Sequence, residues 1–282
     1  MKSKRLRNLF LKIGDKIKSN LITRDRETLK LVDKDSILWN FGNVFSQQGQ
    51  DGILAYIFRE IGISNGYFVE FGAYDGITWS NTRNLYEKGW KGIFIEANKK
   101  RYKKLISNYS SSEVITVNEI VGSPKNNVAG DRLSEIILRH KIPLEKIDFV
   151  SIDIDGADLE VFLDLGFKPP VVLLEGGSNF SPLIDEPIDR EIAFKNIQHP
   201  FGYIHKKVIE HGYEIVAFLQ DAYLVRNDLV SKFKLNNTLD LYKEAWYFLP
   251  EYTKESILKL RKSSVITNFE QEKLKNFNLN PF

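Results

Sequence analysis

Short β-branched apolar runs alternate with amphipathic helical stretches from residue 46 onward, and this alternation constrains the fold more than any other feature. Five of the runs have the length and composition of strands that are buried on both faces of a parallel sheet. They lie at 67–71, 92–96, 114–117, 147–154 and 171–175. Helices are predicted at 51–61, 101–108, 132–140 and 158–165. The pattern predicts a doubly wound α/β sheet.

Two further strands are predicted at 214–218 and 223–225. The link between them, around Gln220, is too short for a right-handed crossover, so they should form an antiparallel hairpin at the end of an otherwise parallel sheet. Three glycines, each followed by an aromatic residue, are predicted to end helices in the left-handed conformation. These glycines are Gly89, Gly166 and Gly212.

The composition excludes several classes of protein. The 282 residues include no cysteine, which rules out disulfide frameworks, zinc-thiolate sites, iron–sulfur clusters and cysteine nucleophiles. No apolar run exceeds six residues (53–58; the run 245–249 has five), far fewer than the ~20 residues that span a bilayer. No apolar core of a secretory signal follows the basic start of the chain. A cytoplasmic protein is therefore expected.

Positive charge is concentrated at the start of the chain. Residues 1–30 contain ten Lys/Arg and three Asp/Glu, whereas the whole chain has a net charge of only +3. Five apolar residues recur there at helical spacing: Leu6, Leu9, Phe10, Ile13 and Ile17. Such a helix either packs on its own domain or lies on an anionic membrane or a partner protein. No basic stripe continues into the domain, so nucleic acid is not indicated as a ligand.

The ends of the first two predicted strands suggest a ligand. Residues 70–76 form a turn with glycines at 72 and 76, a spacing that matches neither a dinucleotide fingerprint nor a P-loop. Glu70 would repel a phosphate but could pair with a cation. Glu96, at the end of the second strand, could accept both hydroxyls of a ribose. S-adenosylmethionine (SAM), a cationic ligand with a ribose and no phosphate, fits both carboxylates.

Acidic residues also follow the fourth and fifth strands. Asp153 and Asp155 lie on one face of the strand, while Asp158 can cap the next helix. We favour a role for Asp153, with or without Asp155 and Glu175, in orienting or deprotonating an acceptor hydroxyl. The alternative is that these three carboxylates hold Mg²⁺ or another hard divalent cation.

A long polar segment follows Glu175 and extends to Pro200, as expected for a binding loop that shapes the acceptor pocket. His199 in this segment is the one histidine that we predict to be catalytic. His205 and His211 are six residues apart, which does not place them on one helical face. The chain has no nucleophile elbow, so a hydrolase triad is disfavoured.

Several motifs resemble the FkbM-type branch of class I SAM-dependent methyltransferases, over roughly residues 41–230. The stretches that carry the resemblance are 45–51, 68–76, 80–82, 89–96, 148–158, 175–179 and 213–228. The resemblance implies a Rossmann-like sheet of seven strands with an antiparallel last strand. It divides the chain into a basic N-terminal extension (1–40), a SAM-binding domain (41–230) and a helical C-terminal extension (231–282).

The resemblance also implies roles for individual residues. The methionine end of SAM would be lined by Glu70, Gly72 and Ala73, with Asp75 and Gly76 shaping the turn. The next helix opens with Ser80, Asn81 and Thr82, whose backbone N–H groups would receive the cofactor carboxylate. Glu96 would bind the ribose, and Asn118 or Glu119 would lie near adenine. Tyr74 stands where many class I enzymes have glycine, so its ring must point away from the cofactor or cover it.

The expected function is methyl transfer to an oxygen of a sugar or other small polar acceptor in glycan or natural-product biosynthesis. Two alternatives come from other classes. One is a non-catalytic SAM-fold protein that docks to the inner face of a membrane or to a partner through the N-terminal helix. The other is a nucleotide-sugar dehydrogenase or epimerase, which the missing dinucleotide fingerprint disfavours.

Overall fold

The computed structural model describes residues 26–110, 113–154, 156–189, 197–262 and 264–274. At its centre is a seven-stranded sheet with the order β3-β2-β1-β6-β7-β9-β8. Its strands are β1 (Tyr67–Phe71), β2 (Lys91–Ile95), β3 (Ile115–Val117), β6 (Phe149–Ile152), β7 (Val171–Glu175), β8 (Tyr213–Leu219) and β9 (Asp221–Arg226). A separate pair of short parallel strands consists of β4 (Val121–Gly122) and β5 (Asp131–Arg132).

The pairing of the strands confirms the predicted topology. The pairs β1–β2, β1–β6, β2–β3 and β6–β7 are parallel, whereas β9 is antiparallel to both β7 and β8. The last two strands therefore form the predicted hairpin. Because β9 lies between β7 and β8, the antiparallel strand is inside the sheet and β8 forms its edge.

Ten α-helices lie in the described residues. They are α1 (Arg26–Leu29), α2 (Gln50–Ile61), α3 (Arg83–Glu87), α4 (Lys99–Tyr109), α5 (Leu133–Arg139), α6 (Asp158–Phe162), α7 (Phe201–Glu210), α8 (Thr238–Phe248), α9 (Glu251–Arg261) and α10 (Ser264–Leu274). Four 3₁₀ turns occur at Ile37–Asn40, Pro124–Asn126, Leu144–Lys146 and Asn227–Lys232. None of the helices in this part of the chain is long and apolar enough to cross a membrane.

Both faces of the sheet are buried. In β1, Val69 and Phe71 belong to one apolar cluster, while Phe68 points to a second cluster on the opposite face. The strand β7 divides in the same way, with Val172 on one side and Leu173 on the other. This two-sided burial explains why the strands read as continuous apolar runs and not as an alternating pattern.

Two of the C-terminal helices, α8 and α9, pack onto this sheet. Leu241 and Ala245 of α8 join the cluster on one face, and Phe248 of the same helix joins the cluster on the other. The predicted helical character of 231–282 is thus confirmed over the described residues. The basic amphipathic helix predicted within residues 1–25 lies outside them.

Two sequence predictions about local structure have different outcomes. The glycines predicted to end helices have positive φ values of 91° at Gly89, 80° at Gly166 and 83° at Gly212, as expected. The strand predicted at 147–154 is shorter, Phe149–Ile152. It ends early because the backbone N–H of Ile154 turns to the carboxylate of Asp158, at 2.8 Å.

Candidate active site

A cleft of about 910 Å³ opens at the carboxyl ends of the parallel strands. It lies where the order of the strands reverses between β1 and β6, the place where ligands bind in open α/β sheets. Many of its lining residues are polar. The lining includes Gln50, Glu70, Gly72, Ala73, Tyr74, Trp79, Ser80, Asn81, Glu96, Arg101, Glu119, Asp153, Glu175, Ser178, Asn179, Gln198, Gln220 and Asp221.

The turn after β1 is close-packed against the end of β6. Gly72 has a φ of +74°, and a Cβ atom there would lie 2.2 Å from the carbonyl oxygen of Asp153. Glycine is therefore required by the neighbouring loop as well as by the turn. Asp75 accepts hydrogen bonds from the backbone of Ile77 and Thr78, at 3.0 and 2.7 Å, and so stabilises the turn itself.

Glu70 holds together the segment between β1 and α3. Its carboxylate accepts hydrogen bonds from the hydroxyls of Ser80 and Thr82, both at 2.6 Å, and from the backbone N–H of Asn81 at 2.8 Å. Burial raises the pKa of Glu70, and these three donors oppose that rise. The first task of this carboxylate is thus to organise the wall of the cleft.

The backbone donors that the sequence suggested for a cofactor carboxylate are already engaged. Asn81 N–H donates to Glu70, and the N–H groups of Thr82 and Arg83 donate to the hydroxyl oxygen of Ser80 at 3.3 and 3.0 Å. The side chain of Asn81 is different, because its Oδ1 atom is buried and has no hydrogen-bond partner among the described residues. This oxygen can accept a hydrogen bond from a bound ligand.

Glu96 follows β2 directly and lines the cleft. One carboxylate oxygen accepts from the backbone N–H of Tyr74 at 2.8 Å, and the other accepts from Asn98 N–H at 2.7 Å. These bonds orient the carboxylate, and each oxygen retains a further lone pair. The arrangement fits the predicted recognition of two vicinal hydroxyls.

Two aromatic residues of the turn have left-handed backbone conformations, with φ of 51° at Tyr74 and 61° at Trp79. The ring of Tyr74 lies against Arg101 and Lys104 of α4, 5.3 and 5.4 Å from its centroid. These contacts direct the ring toward α4. Trp79 stands at the cleft with 61% of its surface exposed.

Three carboxylates meet at the ends of β6 and β7. One oxygen each of Asp153, Asp158 and Glu175 lies within 4.8 Å of the others. Burial, followed by the negative charges of Asp158, Asp153 and Asp221, raises the pKa of Glu175. Burial likewise raises the pKa of Asp158. The structure therefore brings together Asp153, Glu175 and Asp158. The predicted capping role of Asp158 is wrong, because Ala157 is the N-cap of α6 and the Asp158 carboxylate accepts from the backbone of Ile154 and Gly156 before the helix.

Residues that the sequence did not single out complete this end of the cleft. Gln198 donates from Nε2 to Asp158 at 2.7 Å and to Glu175 at 2.5 Å. Asp221, at the start of β9, is paired in register with Glu175 and accepts a hydrogen bond from Gln50 at 2.7 Å. Burial and the charge of Asp158 raise the pKa of Asp221 to about 7. The position of Asp221 opposite Glu175 follows from the hairpin register. Gln50 lies in a stretch that carries the family resemblance, although no role was predicted for it, and no sequence signal marks Gln198.

Other predicted site residues lie away from the cleft. His199 is buried, with Nδ1 accepting from Ile188 N–H at 3.1 Å and Nε2 lying 2.9 Å from Glu160. Because both ring nitrogens are engaged in these contacts, the predicted catalytic role of His199 has no support from its placement. Asn118 donates to the carbonyl oxygen of Glu96 and does not line the cleft, whereas Glu119 does.

Three further predicted residues do not line the cleft. Thr82 is fully buried, and Asp75 and Gly76 form the turn behind the cleft wall. Asp155 lies outside the described residues.

No family model and no curated protein matches this chain. Similar solved structures include an O-methyltransferase from Bacillus cereus in complex with S-adenosylhomocysteine (SAH), with 19% identity and a TM-score of 0.33. That match covers 53% of this chain and 66% of the other, just under two thirds of its length.

A second is TrmK from M. capricolum in complex with SAH, with 12% identity and a TM-score of 0.41; the match covers 79% of this chain and 93% of TrmK. A third is the CurJ carbon methyltransferase, with 11% identity and a TM-score of 0.42; the match covers 76% of this chain and 58% of the other. Two of these three neighbours are named as methyltransferases, one as an O-methyltransferase and one as a carbon methyltransferase.

Proposed function

We propose that this chain is a SAM-dependent methyltransferase that acts on an oxygen of a sugar or another small polar acceptor. The observation that carries the proposal is Glu96, oriented by two backbone N–H groups at the point where the order of the strands reverses. A carboxylate fixed there suits the two hydroxyls of a ribose. The adjoining turn has no phosphate-binding fingerprint, which favours a nucleoside ligand without phosphates.

The residues of the cleft fit SAM in two further ways. The unpartnered Oδ1 atom of Asn81 offers an acceptor to an ammonium group, and Gly72 and Ala73 present the main chain at the end of β1. When bound, SAM would supply an electrophilic methyl group.

The acceptor end of the cleft would be the part beyond β6. Methyl transfer requires an acceptor oxygen held in line with the methyl group, so positioning supplies much of the catalysis. Ser178 and Asn179 line this end with hydrogen-bonding groups. Asp153 is exposed at the cleft and is proposed to accept the hydroxyl proton as the new bond forms.

The same proposal places the chain in the FkbM-type branch and gives it a role in glycan or natural-product biosynthesis. It also divides the chain into the three parts 1–40, 41–230 and 231–282. The C-terminal helices contact the loop after β7, which is the wall of the proposed acceptor pocket, so this division places acceptor-side residues partly outside 41–230.

The test is calorimetric titration of the full chain with SAH and, separately, with NAD. We expect SAH to bind and NAD not to bind. A hydrogen bond to a charged group contributes about 1.5–3 kcal/mol, so Glu96→Gln should weaken SAH binding about tenfold or more. The exposed Glu145→Gln is the matched control and should bind as wild type. Binding of NAD without SAH would overturn the proposal in favour of a dehydrogenase or epimerase.

A further inference from the structure

Positive charge is concentrated on the first two turns of α4. The five residues that carry it are Lys99, Lys100, Arg101, Lys103 and Lys104. All five are exposed, whereas Leu105 and Tyr109 form the buried side of the helix. With about 3.6 residues per turn, Lys100 and Lys103 lie on the side opposite these two buried residues. The solvent face of α4 is therefore strongly basic.

No carboxylate among the described residues neutralises this face. None of the five basic side chains forms an ion pair with a described residue. Arg101 and Lys104 lie against the neutral ring of Tyr74, at 5.3 and 5.4 Å from its centroid. The carboxylate of Asp75, in the adjoining turn, is engaged by the backbone N–H and the hydroxyl of Thr78, at 2.7 and 3.0 Å. The charge of α4 is thus available to a partner outside the chain.

The placement of these charges also opposes the dipole of the helix. Lys99, Lys100 and Arg101 lie in the first turn, which contains no acidic residue. Cations near the N-terminus destabilise a helix, because the positive end of its dipole lies there. A local rule that is broken without a compensating contact inside the chain is typical of a functional surface.

Exposed apolar side chains accompany the basic ones. Ile106, three residues after the last of the central lysines on α4, is 40% exposed. The turn 74–79 packs on the same helix, where Asn108 donates to the carbonyl oxygen of Asp75 at 2.8 Å. This turn carries Trp79, whose ring is 61% exposed. Basic residues beside exposed tryptophan and isoleucine are typical of surfaces that lie on anionic membranes.

We propose that α4 and the adjoining turn 74–79 form a docking surface for an anionic lipid membrane. The basic side chains would be attracted to the anionic headgroups, while Trp79 and Ile106 would enter the interface. A nucleic acid is less well matched, because its backbone is followed by an extended groove or stripe and this cluster is confined to two turns. A small anion is also less well matched, since Arg101 lines the cleft and the other four basic residues do not.

Docking through α4 would bring the cleft close to the lipid headgroups. The helix begins just beyond the carboxyl end of β2, at the edge of the sheet where the cleft opens. An acceptor attached to a lipid could then enter the cleft from the membrane. This consequence rests on the proposed function, whereas docking itself requires neither SAM nor methyl transfer.

The experiment is co-sedimentation of the full chain with vesicles of phosphatidylcholine, with and without phosphatidylglycerol. We expect binding to the mixed vesicles that weakens as salt is added, and little binding to phosphatidylcholine alone. The test variant combines Lys99→Gln, Lys100→Gln and Lys103→Gln, which leave the contacts to Tyr74 in place. Each lysine strengthens binding to an anionic surface about fivefold, so this variant should bind at least about tenfold more weakly.

A matched control removes the same charge elsewhere. It combines Lys146→Gln, Lys243→Gln and Lys259→Gln, three exposed residues in the turn before β6, in α8 and in α9. This variant should bind the mixed vesicles nearly as tightly as wild type. The basic residues within 1–30 are unchanged in both variants, so a difference between the two reports on α4. Both should fold, because every substituted residue is exposed and glutamine is a good helix former.

The proposal is overturned if wild type does not bind the mixed vesicles, or if the two triple variants bind them equally. Titration of a labelled RNA duplex in the same buffer tests the alternative partner. If the α4 variant loses affinity for RNA but not for vesicles, the surface serves nucleic acid instead. None of these results depends on the SAH titration above.

Discussion

At the scale of single residues, Trp79 combines features that stability alone does not explain. Its backbone has a φ of 61°, in the left-handed region that costs an L-residue roughly 1–2 kcal/mol, and its large ring is 61% exposed at the cleft. Backbone strain of this kind is concentrated at functional sites. The residue therefore suits contact with a ligand better than support of the fold.

We expect Trp79→Gly to leave the free energy of unfolding within about 1 kcal/mol of wild type or to raise it. Relief of the left-handed strain offsets the entropic cost of glycine, about 0.5–1 kcal/mol. The control is Trp90→Ala, which removes a buried indole and should cost about 3–5 kcal/mol. Urea unfolding measures both variants. A loss of several kcal/mol in Trp79→Gly would show that this ring supports the fold.

At the scale of elements, the loop after β7 is held by the C-terminal helices. Glu270 of α10 accepts a hydrogen bond from Ser181 N–H at 2.6 Å, and Arg261 of α9 donates to the carbonyl oxygen of Phe180 at 2.6 Å. Tyr242 of α8 donates to Ser178, which lines the cleft, at 2.7 Å. Three helices thus position one wall of the proposed acceptor pocket.

Glu270→Ala should release this loop. Removing a nearly buried carboxylate that accepts from Ser181 should speed hydrogen exchange in 178–183 at least about tenfold. Exchange in β1 should not change. The control is Glu251→Ala. Glu251 is exposed and pairs with Lys254, and both residues lie in the neighbouring helix α9. This variant should leave the loop protected from exchange. Equal exchange in both variants and in wild type, measured by mass spectrometry, would contradict this role for α10.

At the scale of the whole molecule, stability depends on acidic groups buried near the cleft. Burial raises the pKa values of both Asp51 and Glu70, and the charge of Asp51 adds to the rise at Glu70. Above the ordinary pKa of Glu70, 4.5, the unfolded chain releases a proton that the folded protein still holds. The unfolding free energy contributed by this group therefore falls as pH rises from 4.5 toward the raised value.

Comparison of wild type with Glu70→Gln isolates this effect. The unfolding free energy of wild type minus that of the variant should become more negative from pH 5 to pH 7, by at most about 1.4 kcal/mol per pH unit. Urea unfolding at several pH values measures it. Glu145→Gln should show no such trend, because that residue is exposed. A difference that grows more positive with pH would mean that the folded state lowers the pKa of Glu70.

The strands were the most predictable part of the molecule. The predicted runs at 67–71 and 171–175 coincide with β1 and β7, because strands buried on both faces must be apolar throughout. The strand predicted at 147–154 was too long, since the contact between Asp158 and Ile154 that ends it is formed by side-chain geometry. The short pair β4–β5 was not predicted, because two-residue strands leave no periodic pattern.

The sequence by itself determined the α/β alternation, the hairpin at the end of the sheet and the carboxylates at the strand ends, because local periodicity and turn chemistry encode them. Only the tertiary structure decided which polar residues meet. Gln198 reaches Asp158 and Glu175 across 40 and 23 residues of sequence, and His199 beside it is turned instead to Glu160. Such contacts depend on how the loop after β7 packs against β6 and α6, which no local pattern records.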